Sequence, residues 1–144
     1  MNVVSNSSPL HYLILIDAIQ VLPNLYGKVF IPSVVHQELS AGNAPQTVRR
    51  WLASPREWLC VLDNPKSAPR TDIHEGEAAV IALAQALFTP FVLLDDLAAR
   101  RCAQKEGLEV IGTLGILRDA ATLDLLDLRR ALTSLTLQRC FGSS

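Results

Sequence analysis

Short apolar runs that stop abruptly at polar residues alternate in this chain with longer stretches of helix-type spacing. The runs are residues 2–5, 28–31, 58–62, 91–94 and 109–111. Most are near-continuous in Val, Ile, Leu and Phe and lack in-out alternation, as expected of strands covered on both faces. Between them, Pro9 reads as the first-turn proline of a helix carrying His11, Leu13, Ile16 and Ile19, with Ser7 or Ser8 as its cap. Pro32 opens a helix with Val34, Val35 and Leu39 that Ala41-Gly42 closes, and residues 45–52 form another short helix. Residues 63–70, with Pro65 and Pro69, read as a loop. Asp72-x-x-Glu75 has capping-box spacing, which makes Thr71 or Asp72 the expected N-cap of an alanine-rich helix from about 73 to 87. A helix over 97–106 is ended by Gly107, and helices over 114–121 and 125–137 complete the series.

Strands separated by helical stretches predict an α/β fold with a mostly parallel central sheet and right-handed crossovers. The 144 residues suit a single domain, 1–144, with no internal repeat or linker. Hydrophobic residues make up 49% and charged residues 19%, and the mean hydropathy is +0.25, so some apolar surface is expected to be covered by a partner or by a second copy. A net charge of −1 gives no global attraction to nucleic acid, leaving that task to a local basic patch or a metal. Cys60, Cys102 and Cys140 are odd in number and lack CxxC spacing, which excludes a disulfide framework or zinc site as the reading. The N-terminus shows no secretory pattern, because Ser5-Asn6-Ser7-Ser8 interrupts its apolar run, and no stretch approaches the roughly 20 apolar residues of a membrane span. A soluble, cytoplasmic protein is expected.

Open parallel sheets place their ligands beyond the carboxyl ends of the strands. Four stretches each put a carboxylate or its amide near a strand end or helix start: VVSNSSPL (3–10), IPSVVHQEL (31–39), HEGEAAVIALA (74–84) and FVLLDDLAARR (91–101). Asn6, Glu38, Glu77 and the Asp95-Asp96 pair are therefore expected to converge, and such a cluster suits divalent-metal phosphodiester chemistry. Helical steps place Glu77 with Ile81, Ala84 and Phe88, so its carboxylate should lie toward the packed side, where acids are uncommon unless paired or coordinating. Glu75 suits capping. Glu38 sits near a helix C-terminus, opposing the helix dipole. One of Asp95 and Asp96 should face the sheet end while the other caps the next helix, and Asp96 is the one taken for the site. Plainer roles exist for each: Asn6-Ser7-Ser8-Pro9 is also a capped strand-to-helix turn, and Glu38 also suits a solvated face.

Arg100, Arg101 and Lys105 follow the aspartates and are candidates for holding phosphates beside them, although solvated helix faces have the same composition. Arg49, Arg50 and Arg56 would form a second patch. His11, His36 and His74 have no metal-ligand spacing, and neither a GxSxG elbow nor a GxxxxGK[ST] loop occurs, so nucleophilic-serine and NTP chemistry are excluded as readings.

Taken together, VVSNSSPL, YGKVFIPSVVHQEL, EGEAAVIALA and LLDDLAARRCAQKEGLEVIGTLGIL make this chain similar to the PIN-domain ribonucleases, and within them it resembles VapC-type toxins of toxin-antitoxin pairs. The resemblance implies a three-layer α/β/α fold with acidic residues at the C-terminal sheet edge binding Mg²⁺ or Mn²⁺. The family's acidic positions fall on Asn6, Glu38, Glu77 and the Asp95-Asp96 pair. It implies an RNA substrate, a cognate antitoxin and a homodimer. Asn6 departs from the pattern, because an amide ligates a cation without contributing negative charge or acting as a general base. That departure is compatible with natural variation, with a site kept only for binding, and with an introduced substitution. The alternative function is an inactive PIN-like protein-binding module, with Leu114, Leu117, Leu125, Leu126 and Leu128 forming an apolar face.

Overall fold

The apolar runs become five short strands, all parallel, in a computed structural model that describes residues 1–66 and 72–140. In chain order the elements are β1 (Val3–Ser5), α1 (Ser7–Leu15), α2 (Val21–Leu25), β2 (Val29–Pro32), α3 (Ser33–Ser40), α4 (Gln46–Leu52), β3 (Leu59–Leu62), α5 (Glu75–Ala86), β4 (Phe91–Leu93), α6 (Leu97–Lys105), β5 (Glu109–Ile111), α7 (Thr113–Thr122) and α8 (Leu128–Cys140). The sheet order is β3-β2-β1-β4-β5, with Val3 beside Val29 and Val4 beside Val92. Val3, Val4, Val29, Ile31, Val92 and Leu93 have no exposed surface, as a sheet sandwiched between helical layers requires. Helix α5 packs across β1, β2 and β4, while α1 gathers α3, α4, α7 and α8 around itself. The result is the expected three-layer α/β/α arrangement. No described helix is long and apolar enough to cross a membrane.

The order reverses between β1 and β4, which are neighbours although β2 and β3 come between them in sequence. Such a switch point opens a crevice at the carboxyl ends of the two strands. Asn6 follows β1 directly, Asp95-Asp96 follow β4 after Leu94, and the Asn6 N–H donates to the Leu93 carbonyl at 3.0 Å, tying the strand ends together.

Helix ends depart from expectation in instructive ways. Helix α1 stops at Leu15 and leaves Ile19 beyond it, because Asp17 adopts a left-handed φ of 58° and the Ala18 N–H reaches back to the Leu13 carbonyl. The same Schellman closure ends α5 at Phe88 (φ 54°), α6 at Gly107 (φ 84°) and α7 at Asp124 (φ 58°). Helix α2 carries no periodic signal long enough to be expected. Helix α8 begins at Leu128, three residues later than predicted, where the Asp127 carboxylate accepts from the Arg130 N–H. At α5 the capping box is His74 with Glu77, in place of the expected Asp72 with Glu75. Thr71 and the end of the 63–70 loop, with Pro69, lie outside the described residues. Leu117 belongs to the core and not to an apolar surface, whereas Leu114 is exposed.

Candidate active site

Asn6 occupies the N-cap position of α1, yet its side chain makes no capping hydrogen bond. Ser7 and Ser8 do not cap the helix either. The Ser7 hydroxyl lies 3.5 Å from Glu38 Oε2, and the Ser8 hydroxyl donates to Asp95 Oδ2 at 3.0 Å, so this turn spends its polar groups on acids of other elements. Asn6 Oδ1 is buried without a partner, and so is Glu38 Oε1 on α3. Both face the same small residue. A Cβ built at Gly76 would overlap Glu38 Oε1 and lie 3.4 Å from Asn6 Oδ1. Of the three buried side-chain atoms without a partner among the described residues, two thus meet over Gly76. A buried acceptor left unsatisfied costs about 1–3 kcal/mol, so two acceptor oxygens meeting at one point form a donor set that suits a positively charged group.

Glu77 stands one residue further along α5 and is 7% exposed. Its Oε1 accepts the His74 N–H at 3.1 Å, and His74 Nδ1 accepts the Gly76 N–H at 3.2 Å. This reciprocal cap fixes the first turn of α5 and, with it, the carboxylate. Burial raises the Glu77 pKa above the ordinary carboxylate value; the His74 N–H works the other way, and the negative charges of Asp96 and Glu38 add to the rise. Burial likewise raises the Glu38 pKa, opposed by His74 and the Ser7 hydroxyl. Glu77 therefore senses the charges of both Asp96 and Glu38, as a group in a shared site does.

The two aspartates divide their work differently from the sequence expectation. Asp96 caps α6, its Oδ2 accepting the Ala99 N–H at 3.0 Å, and also borders the site cavity. Asp95 is the one turned inward. Its Oδ1 accepts the Thr113 N–H at 2.7 Å and its Oδ2 accepts the Thr113 hydroxyl at 2.6 Å, in addition to the Ser8 hydroxyl. Gly112 leaves room for this, since a Cβ there would lie 3.2 Å from Asp95 Oδ1 and 3.0 Å from Arg100 Nη1.

A cavity of about 650 Å³ opens over Asn6, Glu77, Asp95 and Asp96. Arg100 of α6, Arg118 of α7 and Arg139 of α8 border it. Arg101 and Lys105 do not: they border a separate depression with Asp72 and Glu106. The candidate basic trio is thus divided, and Arg118 and Arg139 take the places beside Arg100. Arg56 serves the fold, stacking over the Trp51 ring at 4.2 Å and donating to the Trp51 and Ser54 carbonyls.

Gly76, Ser7, Ser8, Thr113 and the His74 cap carry the site's geometry without having been singled out for it. One signal was present: a glycine inside the first turn of a helix costs about 1 kcal/mol against alanine, which points to a close approach by another group. The donors over Gly76 are oxygens, which suits a hard divalent cation. Among the described residues no three His, Cys, Asp or Glu side chains form a ready metal-binding group; an amide oxygen takes one corner of the cluster. A family model described as a PIN domain matches residues 2–144. No curated protein and no solved structure matches the chain.

Proposed function

Since the chain belongs to the PIN-domain family, a nuclease fold, we propose that it is a metal-dependent endoribonuclease acting in the cytoplasm as the toxin of a toxin-antitoxin pair. The chemical reading rests on one observation above the rest: Asn6 Oδ1 and Glu38 Oε1 are buried without partners and meet over Gly76, next to the Glu77 carboxylate. Glu38, Glu77 and Asp96 would hold Mg²⁺ or Mn²⁺, with Asn6 as a neutral ligand. A divalent cation held there supplies charge neutralisation at the scissile phosphate and eases deprotonation of a water. Asp95 keeps the β4, α1 and α7 ends in register. Arg100, Arg118 and Arg139 offer guanidinium groups to RNA phosphates along the cavity wall. The toxin assignment rests on the resemblance carried by residues 93–117. Exposed Leu123, Leu132 and Leu137 support an apolar face for an antitoxin or a second copy.

The test is cleavage of a panel of structured and single-stranded RNAs with Mn²⁺ or Mg²⁺ by the chain, its Asn6→Asp variant and its Glu77→Gln variant. Metal-dependent cleavage that rises in Asn6→Asp and vanishes in Glu77→Gln is expected. Cleavage that persists in Glu77→Gln or in the presence of a chelator overturns the reading. The second reading, an inactive protein-binding module, draws on the amide at position 6. Absence of cleavage in all three proteins would select it.

A further inference from the structure

Helix α1 borders two cavities that differ in their basic residues. Ser8 and Tyr12, one turn apart, border both the acidic cavity and a second one of about 400 Å³; Ser7 and His11, also one turn apart, border only the second. Glu38 stands at the edge of the second cavity, so it adjoins the acid cluster, and Asn43 and Pro45 from the α3-α4 junction close its far side. Its size lies within the range of about 300–1,000 Å³ usual for small-molecule sites. No lysine or arginine borders it, whereas three arginines border its neighbour. The His11 and Tyr12 rings pack edge to face, with centroids 5.2 Å apart and planes at 84°, and burial lowers the His11 pKa, favouring a neutral ring. The second cavity therefore offers aromatic rings, hydroxyls, an amide and, at its edge, the Glu38 carboxylate, with no lysine or arginine.

We propose that this α1/α3-α4 cavity is a nucleobase subsite, which takes the base of an RNA residue whose phosphate lies over the acid cluster. The inference deepens the ribonuclease reading and rests on it for the RNA context. Single-stranded RNA is recognised by stacking unpaired bases on aromatic rings and by hydrogen bonds to their edges, and the charge division fits that mode. Phosphates go toward Arg100, Arg118 and Arg139, and the uncharged base goes to His11 and Tyr12. The Asn43 amide supplies a donor and an acceptor for a base edge, and the Ser7 hydroxyl, whose hydrogen is directed at Glu38, supplies acceptor lone pairs.

The test uses the full chain without added metal. Amide chemical shifts are followed during titration with adenosine, guanosine, cytidine, uridine and ribose 5-phosphate, for the protein and its His11→Ala, Asn43→Ala and Tyr12→Phe variants. At least one nucleoside is expected to shift the amides of His11, Tyr12 and Asn43 in a base-dependent way, while ribose 5-phosphate shifts those near Arg100 and Arg118. His11→Ala should weaken nucleoside binding roughly 5- to 150-fold, the scale of a lost base-aromatic stack, and Tyr12→Phe should retain it. If no nucleoside shifts these amides, or ribose 5-phosphate shifts them equally, the subsite is overturned. Nucleoside binding with no RNA cleavage in any variant would keep the subsite and remove the nuclease reading; cleavage without nucleoside binding would do the reverse.

Discussion

Asp95 grips Thr113 with both carboxylate oxygens, taking its backbone N–H at 2.7 Å and its hydroxyl at 2.6 Å. With the Ser8 hydroxyl on the same carboxylate, three elements that end at the switch point are pinned by one side chain. Thr113→Val keeps the N–H bond but removes a buried charge-assisted hydroxyl bond, so it should lower unfolding free energy in urea by about 2 kcal/mol. A change below about 0.5 kcal/mol would show that the clasp contributes little.

At Gly76 the expected effect runs against propensity. Glycine to alanine in an accessible helix interior gains about 1 kcal/mol. Here the added methyl displaces the Glu38 carboxylate, so Gly76→Ala should gain less than that and should abolish stabilisation by Mn²⁺. Trimming the obstacle in a Glu38→Ala background should restore the propensity gain. Additive single and double variants in a thermal-unfolding cycle would disprove the contact.

The raised pKa values of Glu77 and Glu38 set a pH dependence. Each folded-state acid binds its proton more tightly than the unfolded chain does, so folding is favoured while these groups are protonated. That advantage is lost as pH rises from the ordinary carboxylate range through the folded-state values. Glu77→Gln retains an oxygen for the His74 N–H and carries no charge. In metal-free urea titrations it should flatten the fall in stability and be at least as stable as the parent at neutral pH. Mg²⁺ or Mn²⁺ should raise the melting temperature at neutral pH and lose that effect near about pH 4, where carboxylates protonate. A pH slope unaltered by Glu77→Gln would refute the assignment.

Phe88 closes α5 in a left-handed conformation, and the residue is 92% exposed. An L-residue there costs roughly 1–2 kcal/mol that glycine avoids, and an exposed ring returns little by packing. Phe88→Gly should raise unfolding free energy by about 1 kcal/mol, the higher unfolded-state entropy of glycine offsetting part of the gain. A loss of stability in differential scanning calorimetry would mean that the ring is covered in solution.

The sequence by itself determined the layers. Val-, Ile- and Leu-rich runs such as 91–94 have no polar face to leave in water, so they read as buried parallel strands, and the intervening helical spacing supplied the crossovers. It also supplied the residue types that the switch point brings together, because Asn6 and the aspartates follow apolar runs directly. Only the tertiary structure decided which oxygen meets which partner. Asp72 and His74 both stand three residues before an acid, and spacing does not say which pair closes the cap; the start of α5 at Glu75 does. Asp95 and Asp96 are adjacent and chemically identical, and their separation into clasp and cap depends on Thr113 and Ser8, which arrive from other elements. Arg118 and Arg139 join Arg100 because α7 and α8 pack around α1, whereas Arg101, one residue from Arg100, turns about 100° around α6 and leaves the site. Local spacing governs helices and strands through short-range sterics and solvation, while hydrogen-bond partners and charge neighbours depend on contacts that only chain closure creates.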